Sequence, residues 1–155
     1  GLLDKFIGDA LMAEFGVPQH RGEREEALAA VRAALAMQDN LSALNVDLER
    51  EGLEPLRQGI GIHVGEVIAG NLGSSHRLEY TVIGAPVNLA SRLESLTRNF
   101  PDHPILMSDA VRNLLGEEVE VESLGRHQVK GWPEPIEVFG LIRLNPPLGA
   151  PEDRP

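Results

Sequence analysis

Asp9 is the first residue whose position suggests chemistry. Two short apolar runs, Leu2 to Ile7 and Leu11 to Phe15, flank Gly8-Asp9, the arrangement of a hairpin with a tight turn and an acid at its tip. A carboxylate presented outward on such a turn is a hard oxygen ligand suited to magnesium. On spacing alone a solvated turn aspartate is the favoured reading. Gly59, Gly61, Gly65 and Gly70 superficially suggest a phosphate loop, but they lie inside β-patterned sequence rather than between a strand and a helix. The Gly65 to Gly70 interval is also not followed by Lys-Ser/Thr, so these glycines read as bent strands in close contact with another backbone. His20, His63, His76, His103 and His127 are scattered without a pair at metal spacing. Ser91 and Asp109 have no nucleophile elbow around them.

The elements that must position these residues follow from composition and periodicity. The chain has 155 residues, no cysteine, 42% apolar and 4% aromatic residues, and a formal net charge of −10. That length suits one domain with one substantial core. The absence of cysteine excludes disulfides, thiolate nucleophiles and cysteine-ligated zinc, and fits a reducing, cytoplasmic setting. The negative charge argues against a nucleic-acid polymer as partner, so any phosphate must be captured locally. No stretch approaches the roughly 20 apolar residues of a membrane span. Ala27, Leu28, Val31, Ala34, Leu35, Gln38, Leu41 and Leu44 recur at threes and fours, predicting an amphipathic helix of about five turns. Glu23, Glu25 and Glu26 stand at its positive end.

Gln58 to Asn71 predicts two strands bent around Gly65, and a polar link, Gly73 to Arg77, leads to a strand at Leu78 to Ile83. Pro86 opens a helix, Val87 to Thr97. A short strand, Ile105 to Met107, meets Ser108-Asp109, read as a cap for a helix from Ala110 to Leu115. Val119 to Leu124 and Ile136 to Leu144 are the last strands. The expected class is α+β, a mainly antiparallel sheet with helices on one face. Residues 145–155, rich in proline, are expected to form a disordered tail after a domain spanning residues 1–144.

Three ordered motifs then resemble the class III nucleotide cyclases. They are DKFIGDALMAEFG from Asp4, GIGIHVGEVIAGNLGSSHRLEYTVIGAPVNLASRLE from Gly59, and Val129-Lys130-Gly131 with Pro135 to Phe139. The resemblance runs from Leu2 to Leu144 and implies the ferredoxin-like cyclase sandwich and conversion of ATP to cyclic AMP and pyrophosphate. By it, Asp9 matches one of two aspartates that hold a pair of Mg²⁺ (or Mn²⁺) ions per active site. Asn88 and Arg92, four apart on one helix face, match the residues that orient the ribose and stabilise charge on the α-phosphate. Lys130 matches the lysine that reaches the phosphates. Lys5 and Thr81 match the base-selecting pair: Lys5 can only donate and Thr81 can accept from an amino group, which suits adenine. Guanylate-forming relatives generally carry an acid and a small residue there.

The resemblance also implies a homodimer with shared sites, Asp9 coming from one subunit and the other five residues from its partner. It implies a core that starts before Gly1, with a first strand bearing the other metal aspartate, a phosphate loop and two helices. On that expectation the 155-residue piece lacks its first strand and helices, leaves an edge unpaired and is inactive alone, and an upstream sensor precedes it in the parent protein. Ala85-Pro86 departs from the Asp-Thr pair common in the family, a change that a helix start tolerates. The alternative reading is a degenerate cyclase-like domain that binds nucleotide, or only dimerises, and regulates a partner.

Overall fold

The computed structural model describes residues 1–74 and 77–146. His76, part of the Gly73 to Arg77 link, and most of the proline-rich tail lie outside the described residues. Asn145, where that tail was expected to begin, is tied to the fold: its backbone N–H donates to Glu118 O at 2.8 Å and its side chain to Glu117 O at 2.7 Å.

Strands β1 (Leu2–Ile7) and β2 (Ala10–Glu14) pair antiparallel across Gly8-Asp9. Gly8 has a φ of 66°, the left-handed conformation that a II′ hairpin turn requires at its first central residue. Helix α1 (Glu23–Arg50) has 28 residues, roughly eight turns rather than the five expected. Its last turns include Asp47, Glu49 and Arg50, with an Arg50–Asp47 ion pair at 2.9 Å; Leu48 continues the apolar spacing there but joins no core cluster among the described residues. At the other end, Glu26 accepts from the Arg21 guanidinium at 2.8 and 2.9 Å, which holds its carboxyl down at about 2.

Strand β3 (Ile60–Ile62) follows, then the antiparallel hairpin of β4 (Ile68–Ser74) and β5 (Arg77–Ile83), and helix α2 (Ala85–Leu96). Strand β6 (Ile105–Ser108), helix α3 (Asp109–Leu115) and strands β7 (Val119–His127) and β8 (Ile136–Leu144) complete the chain. A four-stranded sheet has the order β3-β6-β8-β7, with β3–β6 parallel and the other pairs antiparallel. The α+β class and the antiparallel-rich sheets are as expected.

The helices are divided between the two faces of that sheet. Ile105 and Met107 of β6 pack with Ala27, Val31 and Ala34 of α1 and with Val111 and Leu115 of α3. Leu106, which the pleat turns the other way, packs with Leu89 and Leu93 of α2. The expectation of helices on one face therefore holds for α1 and α3 and is corrected for α2. The cause is β3: a Cβ on Gly61 would lie 2.2 Å from Ala90 O and 2.3 Å from Glu94 N. Only glycine lets α2 rest directly on the strand. A second correction concerns Ser108, which holds the N-cap position of α3 without a side-chain cap bond. Its hydroxyl lies 2.8 Å from His63 Nδ1, and Asp109 Oδ1 instead accepts from the Ala110 N–H at 2.9 Å.

Candidate active site

The predicted site residues fall into two groups and one outlier. Asn88 and Arg92 are exposed on α2, while Leu89 and Leu93 anchor the opposite side of that helix in the core. Facing them is the turn after β7. Val129 is buried, its carbonyl accepts from the Trp132 N–H at 3.0 Å, and the Gln128 side chain donates to Trp132 O at 2.9 Å. Trp132 in turn meets the His63 ring edge-on at 6.0 Å. This braced turn holds Lys130 opposite α2, and Asn88, Arg92, Lys130 and Trp132 line one cleft of about 250 Å³. A neighbouring hollow of about 390 Å³ shares Arg92 and Lys130 and adds Ser95, Asn99 and His127. Arg92 and Lys130 make no ion pair among the described residues. Two free cations converging on one cleft can hold a polyanion.

The second group joins the two hairpins. Lys5 Nζ on β1 lies 3.5 Å from Asp4 Oδ1 and 3.6 Å from Glu79 on β5. Thr81, buried on β5, donates its hydroxyl to Asp4 Oδ2. The Asp4 side chain is only 2% exposed. On β2, buried Glu14 faces the same carboxylate; burial, then the charge of Asp4 and a hydrogen bond to it, push the Glu14 carboxyl up to about 7. As an anion Glu14 has no donor for either oxygen; protonated, it donates to Asp4.

Asp4 and Glu14 were not singled out from sequence. Strict alternation would put Asp4 on the opposite face of β1 from Lys5. The register instead slips between Leu3 and Lys5, so Asp4 is the extra residue of a bulge and turns inward with its neighbour. A charged residue beside an inward lysine on an apolar strand was the available signal.

Asp9 is the outlier. It sits exposed at the hairpin tip, makes no hydrogen bond or ion pair among the described residues, and lines neither cleft. Among the described residues no group of three or more His, Asp or Glu is placed to hold a metal. Asp9 therefore fits magnesium in donor type only, as a single free carboxylate. No helix among the described residues is long and apolar enough to cross a membrane.

Comparison with known proteins shows the family. The chain belongs to the adenylate and guanylate cyclase catalytic domain family, whose model matches residues 5–143. It is similar to the adenylyl cyclase CyaB from P. aeruginosa, at 34% identity and a TM-score of 0.85, over 96% of this chain and 75% of that one. It is equally similar to the guanylyl cyclase Cya2, at 34% identity and a TM-score of 0.82, over 96% and 73% of the respective chains. An uncharacterized protein of Mycobacterium tuberculosis is 37% identical over 144 residues, 92% of this chain and 24% of that protein. A second is 38% identical over 148 residues, 95% and 26%. The chain thus spans about a quarter of the length of these curated relatives.

Proposed function

We propose that this domain is the catalytic part of an adenylate cyclase, converting ATP to 3′,5′-cyclic AMP and pyrophosphate for intracellular signalling at the interface of a homodimer. The observation that carries this reading is the convergence of Asn88, Arg92 and Lys130 on one cleft. In a chain of net charge −10, that cleft supplies the local cations a triphosphate needs. In the reaction the ribose 3′-oxygen attacks the α-phosphorus and the bond to the leaving pyrophosphate breaks. Asn88 orients the ribose, Arg92 meets the charge that grows on the α-phosphate, and Lys130 holds the phosphate chain. Asp9 serves as one carboxylate ligand for Mg²⁺ or Mn²⁺. When bound, the metal lowers the charge repulsion of the triphosphate and favours ionisation of the 3′-hydroxyl.

Adenine is favoured by Lys5, a donor suited to the ring nitrogen, and by Thr81, an acceptor suited to the amino group. The dimer is supported by apolar side chains left open on both hairpins, among them Phe6 at 71%, Ile68 at 67% and Leu78 at 62% exposure. Surfaces of that kind mark interaction sites.

The test uses the full-length protein. Asp9→Ala and Asn88→Ala should each be inactive, while a mixture of the two should regain cyclic AMP synthesis because each heterodimer assembles one intact site. An Asp9→Ala protein that keeps more than about a tenth of wild-type turnover would defeat its assignment as a metal ligand. A mixture that stays inactive despite demonstrated subunit exchange would defeat the shared site.

A further inference from the structure

Lys5 and Thr81 stand on different hairpins, and one side chain touches both. Asp4 Oδ1 faces the Lys5 ammonium at 3.5 Å, and Asp4 Oδ2 accepts the Thr81 hydroxyl proton. With its side chain 2% exposed, Asp4 is too enclosed to meet a nucleotide itself. Its effect on Thr81 is nevertheless directional. A free threonine hydroxyl rotates and can donate or accept, so by itself it would suit the 6-oxo group of guanine as well as the 6-amino group of adenine. Once its proton is given to a buried carboxylate, only oxygen lone pairs remain for a ligand. Thr81 becomes an acceptor of fixed sense.

We infer that Asp4 is the positioning residue that sets the hydrogen-bond polarity of the base site, holding Thr81 as an acceptor and Lys5 as a donor, and so selecting 6-aminopurine over 6-oxopurine nucleotides. The inference rests on the adenylate cyclase reading above. Glu14 supports it from β2, where its buried carboxyl faces Asp4 and in its protonated form donates to it.

The decisive variant in the full-length protein is Asp4→Asn. The amide is nearly isosteric, and its single oxygen is drawn to the Lys5 ammonium, where the hydrogen bond is charge-assisted. The NH₂ group is then left facing Thr81, whose hydroxyl must accept from it and is released to donate outward. The ratio of kcat/KM for ATP to that for GTP should fall by about tenfold or more, the size expected for one mispaired buried polar contact. The change should appear in KM more than in kcat, since the altered contact is made in the ground state and the transition state alike. A purely structural role would weaken both nucleotides together and leave the ratio in place. If Asp4→Asn does not fold, Asp4→Ser, which also removes the charge, takes the same measurement.

A folded Asp4 variant with an unchanged ratio overturns the inference. If Thr81→Val moves the ratio in that case, the base-site reading stands and only the role of Asp4 is lost. If the wild type turns over neither nucleotide, or if Lys5→Glu with Thr81→Cys leaves the ratio where it was, the parent reading fails and takes this inference with it.

Discussion

Glu14 offers a test of the buried carboxyl pair that needs no nucleotide. It is 8% exposed, and burial together with Asp4 raises its carboxyl from 4.5 to about 7. Between those values the folded chain holds a proton on Glu14 that the unfolded chain releases. Its contribution to stability is therefore full below about pH 4.5 and declines as pH rises, until it is lost above about pH 7. At about 1.4 kcal/mol per pH unit, the whole change is worth up to roughly 3 kcal/mol, and about 2 kcal/mol of it falls between about pH 5.5 and pH 8. The Arg21–Glu26 pair has the opposite sign, because the Glu26 carboxyl is lowered to about 2. Its contribution is lost only as the solution is acidified below about pH 4.5, so the two windows do not overlap.

Glu14→Gln removes the titration and keeps a donor for Asp4. By urea midpoint or melting temperature, the two proteins should match below about pH 4.5, Glu14→Gln should lead by about 1 kcal/mol near pH 5.5, and its lead should grow by about a further 2 kcal/mol by pH 8. At roughly 2–4 °C per kcal/mol for a domain of this size, the growth of that lead between about pH 5.5 and pH 8 amounts to about 4–8 °C. Carboxyl ¹³C shifts of labelled glutamate would report the same titration directly. A wild-type minus Glu14→Gln difference that is flat across this range, or a Glu14 carbon that titrates near 4.5, would refute the account of the buried pair.

Two further outcomes follow from the sheet and the cleft. Arg92→Ala should lower kcat by about 10²–10³-fold, the usual effect of removing one preorganised group from a developing charge, and steady-state cyclic AMP formation measures it. Gly61→Ala should destabilise the domain by roughly 1–3 kcal/mol, because its Cβ would lie 2.2 Å from the Ala90 carbonyl oxygen; a thermal melt that coincides with wild type would show that α2 does not rest on β3 as described.

What was legible in sequence was whatever a period or a turn encodes. The Gly8-Asp9 hairpin, the β4–β5 hairpin and the α2 helix each carry their own local signal, so the positions of Asp9, Asn88 and Arg92 on their elements could be read directly. Gly59, Gly61, Gly65 and Gly70 were read as sites of close backbone approach, and Gly61 under Ala90 is one. Three features escaped because their causes are not periodic. The polar last turns of α1 add length without adding core contacts. The side of the sheet taken by α2 is decided by the missing Cβ of Gly61, which a strand pattern does not distinguish from flexibility. Asp4 turns inward through a one-residue slip in register, and a slip reverses the facing that alternation predicts.

The division of the site into two groups has a consequence for how base choice relates to catalysis. CyaB and Cya2 resemble this chain to the same 34% identity, yet one is an adenylyl and the other a guanylyl cyclase, so overall likeness carries no information about the base. The residues proposed to face the phosphates are set by the packed core, with Leu89 and Leu93 beneath Asn88 and Arg92 and Val129 beneath Lys130. A change in Leu89, Leu93 or Val129 disturbs the fold as well as the chemistry. Lys5 and Thr81 instead meet across two hairpins through one carboxylate, outside both hydrophobic clusters. Reversing a donor and an acceptor at that junction alters no core contact and leaves the cleft over α2 intact. On the proposed function, the base is therefore the property this architecture can exchange at least cost to folding, and the transfer chemistry is the property it holds fixed.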